Sequence, residues 1–563
     1  MKRHSGSSWL LVILALLGTV LLSPGLLAGP PAREEVLALG ERMYRLGILP
    51  SGKPMRVALE GDALPGMTFA CASCHLRSGV GAMEDGTGIL PINGERLFRP
   101  LYRNFPSLTE AEREKLLPGR YHVPPVRPAY TEGTLGMAIR KGIDPSGRSL
   151  RAAMPRYVLS DQETEILVTY LKTLSARPSP GVTDQTLFFA TVVTEEVSQE
   201  EREAMLGLLE QRFQMHNRSK PQTGFRMARM LNMQEMGLGF REWSLARWLL
   251  KGPPDTWPRQ LDEYYRTQPV FALVGGISTV GWEPVHTFCE TRGIPCLFPL
   301  TELPPLSSSD YYTLYFSKGC RQEAETAARY LATLTEPPRP RRLVQAVGPG
   351  LEAQALAEGF QKAWTGLGHG PVETVPLKPG SPVTGAFLAA LAGGEGGTTL
   401  LLWAGPEVYG ALRSLPASQK RPARVFLSST LLQGRLWDLP EEARPFTYLT
   451  YPYRQPGERT VVGKMGGPPI KVNKEFRKND RRIASRTLTI LELLSDRLGQ
   501  LERNFYRDHL LDLFDAMAEQ DQTDYEQLNF GPGKRYVSEG CYIMQVAQGP
   551  EPSLLRKSEW IIH

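Results

Sequence analysis

Five consecutive residues carry the most specific chemistry in the chain: Cys71-Ala72-Ser73-Cys74-His75. Two thiols at this spacing can add to the two vinyl groups of a haem, and the adjoining imidazole can then reach the iron as an axial ligand. Two other uses of a C-x-x-C pair fit less well. A zinc site needs a second ligand pair at similar spacing, and the chain has none. A thioredoxin-like pair belongs between a strand and a helix of a βαβ unit, which these surroundings do not resemble. The motif therefore predicts one covalently attached haem c, held by Cys71 and Cys74, with His75 as a metal ligand. The remaining axial ligand should be a thioether or a second imidazole. Met154, in RAAMPRY, has a proline beside it and precedes a helix; Met83, Met137 and His122 are its rivals. A methionine ligand raises the haem potential relative to bis-histidine ligation. It would also close the iron position that a peroxidase needs open, so the expectation is an electron carrier or binding protein, not an enzyme.

The elements around the motif follow from periodicity. Arg33 to Leu46 has helical spacing, as do Thr134–Lys141 and Asp161–Leu174, the last with Ser160 and Glu163 forming a capping box. ARPSPGVT, residues 176–183, reads as a linker. Beyond it, short strand-like runs (Leu187–Val193, Val270–Val274, Pro295–Phe298, Leu343–Val347, Thr399–Trp403, Val425–Leu427, Phe446–Tyr451) alternate with amphipathic stretches such as Glu200–Met215, Gln322–Leu334 and Leu351–Thr365. Such alternation implies parallel sheets, and some 380 residues is too much for one of them.

The chain begins MKRHSGSS, followed by the apolar run Trp9–Leu22 and the small-residue tail SPGLLAGPPA. This is the pattern of a secretory signal peptide, taken as residues 1–28, and the run is shorter than the roughly 20 residues needed to span a bilayer. The expected compartment is periplasmic, with membrane contact at most through an uncleaved anchor. Six cysteines among 563 residues exclude a disulfide-built miniprotein, and a net charge of +6 gives no reason to expect nucleic acid. Much of that charge is local. Glu458–Arg482 holds eight basic residues (Arg459, Lys464, Lys471, Lys474, Arg477, Lys478, Arg481, Arg482) against three acidic ones. The run is either a solvated face or a docking patch for an acidic redox partner or anionic lipid.

Residues 33–176 resemble the class I cytochromes c. The run AIRKGIDPSGRSLRAAMPRY (Ala138–Tyr157) looks like the family's segment leading to the distal methionine, the helix around Gly40–Leu46 its N-terminal helix, and Tyr170 and Leu171 the end of its C-terminal helix. Pro91, in LPING, resembles the proline whose carbonyl orients the proximal imidazole. The resemblance implies an all-α haem domain. Cys74 and Met154 lie 80 positions apart, long for this family, so the intervening part holds an insertion.

Residues 184–563 resemble the type I periplasmic binding proteins, which include the branched-chain amino acid receptors. QPVFALVGGISTVGWEPVHTFCETRGIPCLFPLTELPP (Gln268–Pro305) matches best, and RQEAETAARYL looks like the helix after the first crossover between lobes. This implies a multidomain chain: signal (1–28), cytochrome (33–176), linker (177–183) and a two-lobed α/β domain (184–563) binding a small molecule between its lobes. Ligand-contact candidates on that pattern are Ser278 and Thr279, Glu302, Trp403 and Glu407, and Tyr451 with Tyr453. Glu302 stands where the receptors welcome a carboxylate, so a neutral, cationic or apolar ligand fits better, or none. The other cysteines allow three pairings, of which Cys289–Cys296 in the first lobe and Cys320–Cys541 across the hinge strands are favoured. Together these features predict one-electron transfer with a redox partner protein, such as a periplasmic dehydrogenase. The alternative is a solute receptor for transport or sensing in which the haem is a redox or gas sensor.

Overall fold

The computed structural model describes residues 32–59, 62–65, 69–84, 87–102, 125–219, 240–307, 310–334, 342–380, 382–393, 397–415, 421–455, 478–522, 524–549 and 553–562. The signal, His122 and the basic residues Arg459 to Arg477 lie outside these, as do the side chains of Met83, Lys478 and Arg481. Two compact units divide the chain: Met1–Cys71 with Thr131–Lys172, and Ala72–Tyr130 with Thr173–His563. Residues 33–176, read above as one haem domain, are thus shared between units, and the division falls inside the CASCH motif.

In the first unit, helices α1 (Arg33–Leu46), α3 (Glu132–Lys141) and α4 (Asp161–Thr173) form where the periodicity placed them. The Ser160 hydroxyl accepts from the Glu163 amide, and the Glu163 carboxylate accepts from the Ser160 amide at 2.8 Å. Such a cap contributes about 1 kcal/mol. Gly40 of α1 lies against Tyr170 of α4: a Cβ there would stand 2.5 Å from the Tyr170 Cβ, so the helices cross at a distance only glycine allows. The Tyr44 and Tyr170 rings pack beside the crossing, 5.6 Å apart. The unit is not all-helical as expected. β1 (Arg56–Leu59) pairs antiparallel with both β2 (Asp62–Pro65) and β3 (Arg156–Val158), the fully buried Val57 opposite Tyr157. The two short strands come from places about a hundred positions apart, and local periodicity does not report such pairs.

In the second unit the apolar runs assemble into two sheets. The first has the order β8-β7-β6-β4-β5, where β4 is Thr186–Thr194, β5 Glu242–Leu250, β6 Ala272–Val274, β7 Cys296–Leu297 and β8 Thr313–Leu314. All its pairs are parallel. The helices α5 (Gln199–Arg218), α6 (Trp257–Thr267) and α7 (Glu283–Arg292) connect its strands. The second sheet begins with β9 (Arg342–Val347), β10 (Glu373–Pro376), β11 (Thr398–Trp403), β12 (Arg424–Ser428) and β13 (Thr447–Tyr451), all parallel in the order β10-β9-β11-β12-β13. β14 (Gly540–Val546) then joins β13 antiparallel. The helices α8 (Cys320–Thr333) and α9 (Leu351–Gly366) pack on each other beside this sheet.

The chain passes between the sheets three times, from β8 to α8, from β13 to α10 (Lys478–Gln500), and from Tyr536, which bridges Tyr315, into β14. α10 packs on α5, and α11 (Arg507–Asp515) follows it. The two-lobed α/β arrangement implied by the resemblance is therefore present. The supposed linker 177–183 is packed, not free: the Ser179 amide donates to the Phe505 carbonyl at 3.1 Å, and Arg507 reaches the Pro180 carbonyl. Among the described residues no helix is long and apolar enough to cross a membrane.

Candidate functional site

The CASCH motif folds as the short helix α2 (Cys71–His75). Helical spacing places positions i, i+3 and i+4 on one face, so Cys71, Cys74 and His75 share a side. Cys71 is nearly buried and its thiol donates to the Tyr157 hydroxyl at 3.9 Å; Cys74 is exposed. The imidazole of His75 is fixed through Nδ1, which lies 3.0 Å from the Leu90 carbonyl. A carbonyl only accepts, so Nδ1 carries the proton and Nε2 keeps its lone pair for a metal. Burial lowers the His75 pKa against the opposing pull of this hydrogen bond, which favours the neutral ring that ligation requires. The carbonyl expected from Pro91 thus comes from its neighbour, Leu90. Among the described residues no group of three or more His, Cys, Asp and Glu forms a metal cage. Two thiols on one helical face beside an imidazole held in one tautomer fit a prosthetic group attached through sulfur and one imidazole.

Met154 sits half-buried in a turn, its amide donating to the Arg151 carbonyl at 3.1 Å and its own carbonyl held by Arg156. Its rival Met137 is 39 % exposed and lines a 370 Å³ groove between α3 and α4.

The proposed ligand residues of the α/β unit separate into two sets. Glu302 and Tyr451 come together where the lobes meet. The Glu302 carboxylate accepts from Arg486 of α10 at 2.7 Å, and Arg486 is almost fully buried. One helical turn earlier, the Arg482 guanidinium lies 4.3 Å over the Tyr453 ring and donates to its hydroxyl at 3.3 Å. Tyr451 packs edge-on against Tyr453 at 5.6 Å, and burial pushes both phenols up to about 12. Burial opposes the charge of Arg486, but Tyr525 and Glu302 outweigh it and hold the guanidinium firmly protonated. Glu302 is itself placed by the first crossover. Gly319 has φ +60 and ψ −139, and a Cβ there would stand 2.2 Å from the Glu302 carbonyl, which also accepts from the Cys320 amide at 3.0 Å. Four residues into α8, the fully buried Glu323 accepts from the Thr450 hydroxyl at 2.6 Å and the Ser429 amide at 3.1 Å. Burial raises its carboxyl to about 7, against the pull of the surrounding hydroxyls. The junction is thus a buried polar cluster of two guanidiniums, two carboxyl groups and phenols.

The other candidates lie elsewhere. Ser278 and the Thr279 amide both donate to Glu196, each at 3.2 Å, and form a closed turn with it. Trp403 is wholly buried and its indole donates to Gln345 at 2.8 Å, so it is core and not a cleft wall. Glu407 caps its own loop by accepting from the Gly405 amide at 2.9 Å. The two expected disulfides are not formed: Cys289, Cys296, Cys320 and Cys541 are free thiols. Cys289 and Cys296 do meet as hydrogen-bonded buried thiols. Cys541 instead hydrogen-bonds Thr326 and the Tyr451 backbone, while Cys320 packs in the apolar layer of α8 and α9. Arg482, counted above in the basic run, is half-buried against Tyr453.

No family model matches the chain, and no curated protein matches it significantly. Solved structures similar to it include substrate- and solute-binding proteins of ABC transporters. A fatty acid ABC transporter substrate-binding protein from Thermomonospora curvata is 14 % identical, over 69 % of this chain and 95 % of that one, with a TM-score of 0.42. A branched chain amino acid ABC transporter from Thermus thermophilus with bound valine is 12 % identical (68 % and 97 % covered, TM-score 0.44). The solute binding protein of an ABC transporter from Rhodopseudomonas palustris BisB5, in complex with 3,4-dihydroxybenzoic acid, is 12 % identical (67 % and 97 %, TM-score 0.43).

What sequence reading missed was α10, which supplies both arginines. Its N-terminal turns follow the Gly/Pro-bearing basic run, and the charge of that run masked the helical spacing of Ile483, Thr487, Ile490 and Leu494.

Proposed function

We propose that the chain is a periplasmic solute-binding receptor that carries a covalent haem c on Cys71, Cys74 and His75, with Met154, on the sequence pattern alone, as the second ligand. The observation that carries the receptor half is the buried Arg486–Glu302 pair at the junction of the two lobes. Arg482, Tyr451 and Tyr453 stand beside it. Interlobe clefts capture ligands by closing over a few polar groups fixed on rigid elements. Because Arg486 neutralises Glu302 and Arg482 adds a further positive charge, the cluster favours a solute bearing a carboxylate. That replaces the neutral, cationic or apolar ligand expected from Glu302 alone.

The haem half is supported by the placement of the imidazole, whose Nδ1 is engaged by the Leu90 carbonyl while Nε2 is left for iron. The group supplies one-electron redox chemistry when bound. The protein's own part is to hold the imidazole in one tautomer, to fix the two thiols on one helical face, and to present the exposed Cys74 edge to solvent. That open edge and the neighbouring Leu90, 61 % exposed, favour a second reading, electron exchange with a protein partner such as a dehydrogenase.

The test uses full-length protein exported in a host able to attach haem. One haem per chain is expected by pyridine haemochrome, lost on Cys71→Ser with Cys74→Ser. Met154→Ala should abolish the low-spin His/Met spectrum and lower the potential; an unaltered spectrum refutes the axial assignment. Thermal shift against a panel of carboxylic, cationic and neutral solutes reads the cluster. Stabilisation by a carboxylate, lost in Arg486→Ala, supports the receptor. Its absence alongside rapid electron exchange with a dehydrogenase supports the carrier.

A further inference from the structure

The backbone that leaves the CASCH helix is gripped by a helix more than four hundred positions later in the chain. Leu76, directly after His75, adopts φ +62, a left-handed conformation unusual for leucine. The next two amides, those of Arg77 and Ser78, donate to the two oxygens of Asp512, at 3.2 and 2.9 Å. Asp512 is 5 % exposed, and the Tyr311 hydroxyl donates to it at 3.4 Å. The Arg77 guanidinium lies 3.8 Å over the Tyr311 ring, with Asp508 3.8 Å from its Nε.

The other side of the imidazole is held from the same direction. Ile92 and Asn93, just beyond Leu90, donate their amides to the Gly79 carbonyl. Glu95 accepts from the Tyr506 hydroxyl at 2.6 Å. Tyr506 immediately precedes α11, on which Asp512 stands. α11 is itself locked into the first lobe, because the buried Arg507 donates to the carbonyls of Val270, Phe271, Arg292 and Gly293. Arg497 of α10, the helix that brings Arg486 to the cluster, donates to the Leu513 carbonyl at 3.1 Å.

We infer that Asp512 is a positioning residue for His75, holding the Nδ1 bond to Leu90 from the binding module and so setting the haem potential. The inference rests on the haem reading above. A firm Nδ1–H to carbonyl bond makes the imidazole a stronger donor and favours oxidised iron. Loosening it should shift the balance toward the reduced form. Because α11 is tied to α10, solute capture between the lobes gains a route to the same bond, and any such coupling must be reciprocal.

The experiment compares Asp512→Asn, Asp512→Ala and, as a charge control, Asp508→Asn, which removes a carboxylate near Arg77 without touching the amides of Arg77 and Ser78. Far-UV circular dichroism and haem content establish that each variant folds and is loaded. The two Asp512 variants should shift the oxidised-to-reduced ratio three- to ten-fold toward reduced, about 30–60 mV upward at 59 mV per tenfold, with Asp508→Asn shifting it far less. In the haem-free protein, hydrogen exchange at the amides of Arg77 and Ser78 should speed up at least ten-fold in Asp512→Ala and stay unchanged in Asp508→Asn. An equal potential shift in all three variants would reduce Asp512 to one charge among several and overturn the inference, as would unchanged exchange. A wild-type protein without haem defeats the haem reading itself, which is a separate and visible failure.

Discussion

Replacing Glu323 with glutamine isolates one buried ionisation in the cluster. Its carboxyl is raised from 4.5 to about 7 by burial. The folded state therefore holds its proton more tightly than the unfolded chain, and stability falls as pH rises from about 4.5 to about 7, then levels off. Linkage with those two values makes the penalty about 0.8 kcal/mol at pH 5 and about 3.3 kcal/mol at pH 8. Glutamine keeps an oxygen that can accept from Thr450 and Ser429 but has no charge to desolvate. The stability difference between Glu323→Gln and wild type should thus move in the variant's favour by about 2.5 kcal/mol between pH 5 and pH 8. With an m-value of roughly 3 kcal/mol per M, the urea midpoint difference should change by about 0.8 M. Urea titrations followed by tryptophan fluorescence at both pH values measure it directly, and the other titrating groups cancel in the comparison. A difference independent of pH would refute the reasoning, because it would mean that Glu323 ionises folded as readily as unfolded.

Two further outcomes follow from the same region. Arg486→Ala strands Glu302 without its guanidinium and should cost about 3 kcal/mol, while the double variant with Glu302→Ala recovers part of that loss; a urea double-mutant cycle reads the coupling. Gly319→Ala forces a Cβ against the Glu302 carbonyl in a backbone region that only glycine favours. It should destabilise by about 2 kcal/mol or more, seen as a lowered midpoint with unchanged m-value.

Local patterns announced themselves in the sequence because their cause is local. The C-x-x-C-H spacing is covalent arithmetic. The Ser160–Glu163 box is a three-residue relation, and β4, β9, β11, β12 and β13 formed within a residue or so of their apolar runs. β5 was overlooked because EWSLARWLL interleaves charges with its tryptophans, as a partly exposed edge strand does. The small sheet of the first unit was also missed, since its strands β1 and β3 lie about a hundred positions apart.

The sequence alone supplied the C-x-x-C-H motif, the two lobes of alternating strands and helices, and Glu302 and Tyr451 as strand-end residues. It could not determine what those residues face. The partner of Glu302 lies 184 positions away on a helix hidden by its own charge, and that of Ser78 lies 434 away. Trp403 and Glu407, which follow a strand as ligand residues do, turned into the core and into their own loop. Strand-end position is a local property, whereas burial and pairing depend on which distant surface closes over the strand. Only the folded chain supplies that surface, and here it brought two arginines to Glu302 and Tyr453 and an aspartate to the backbone that follows the CASCH helix.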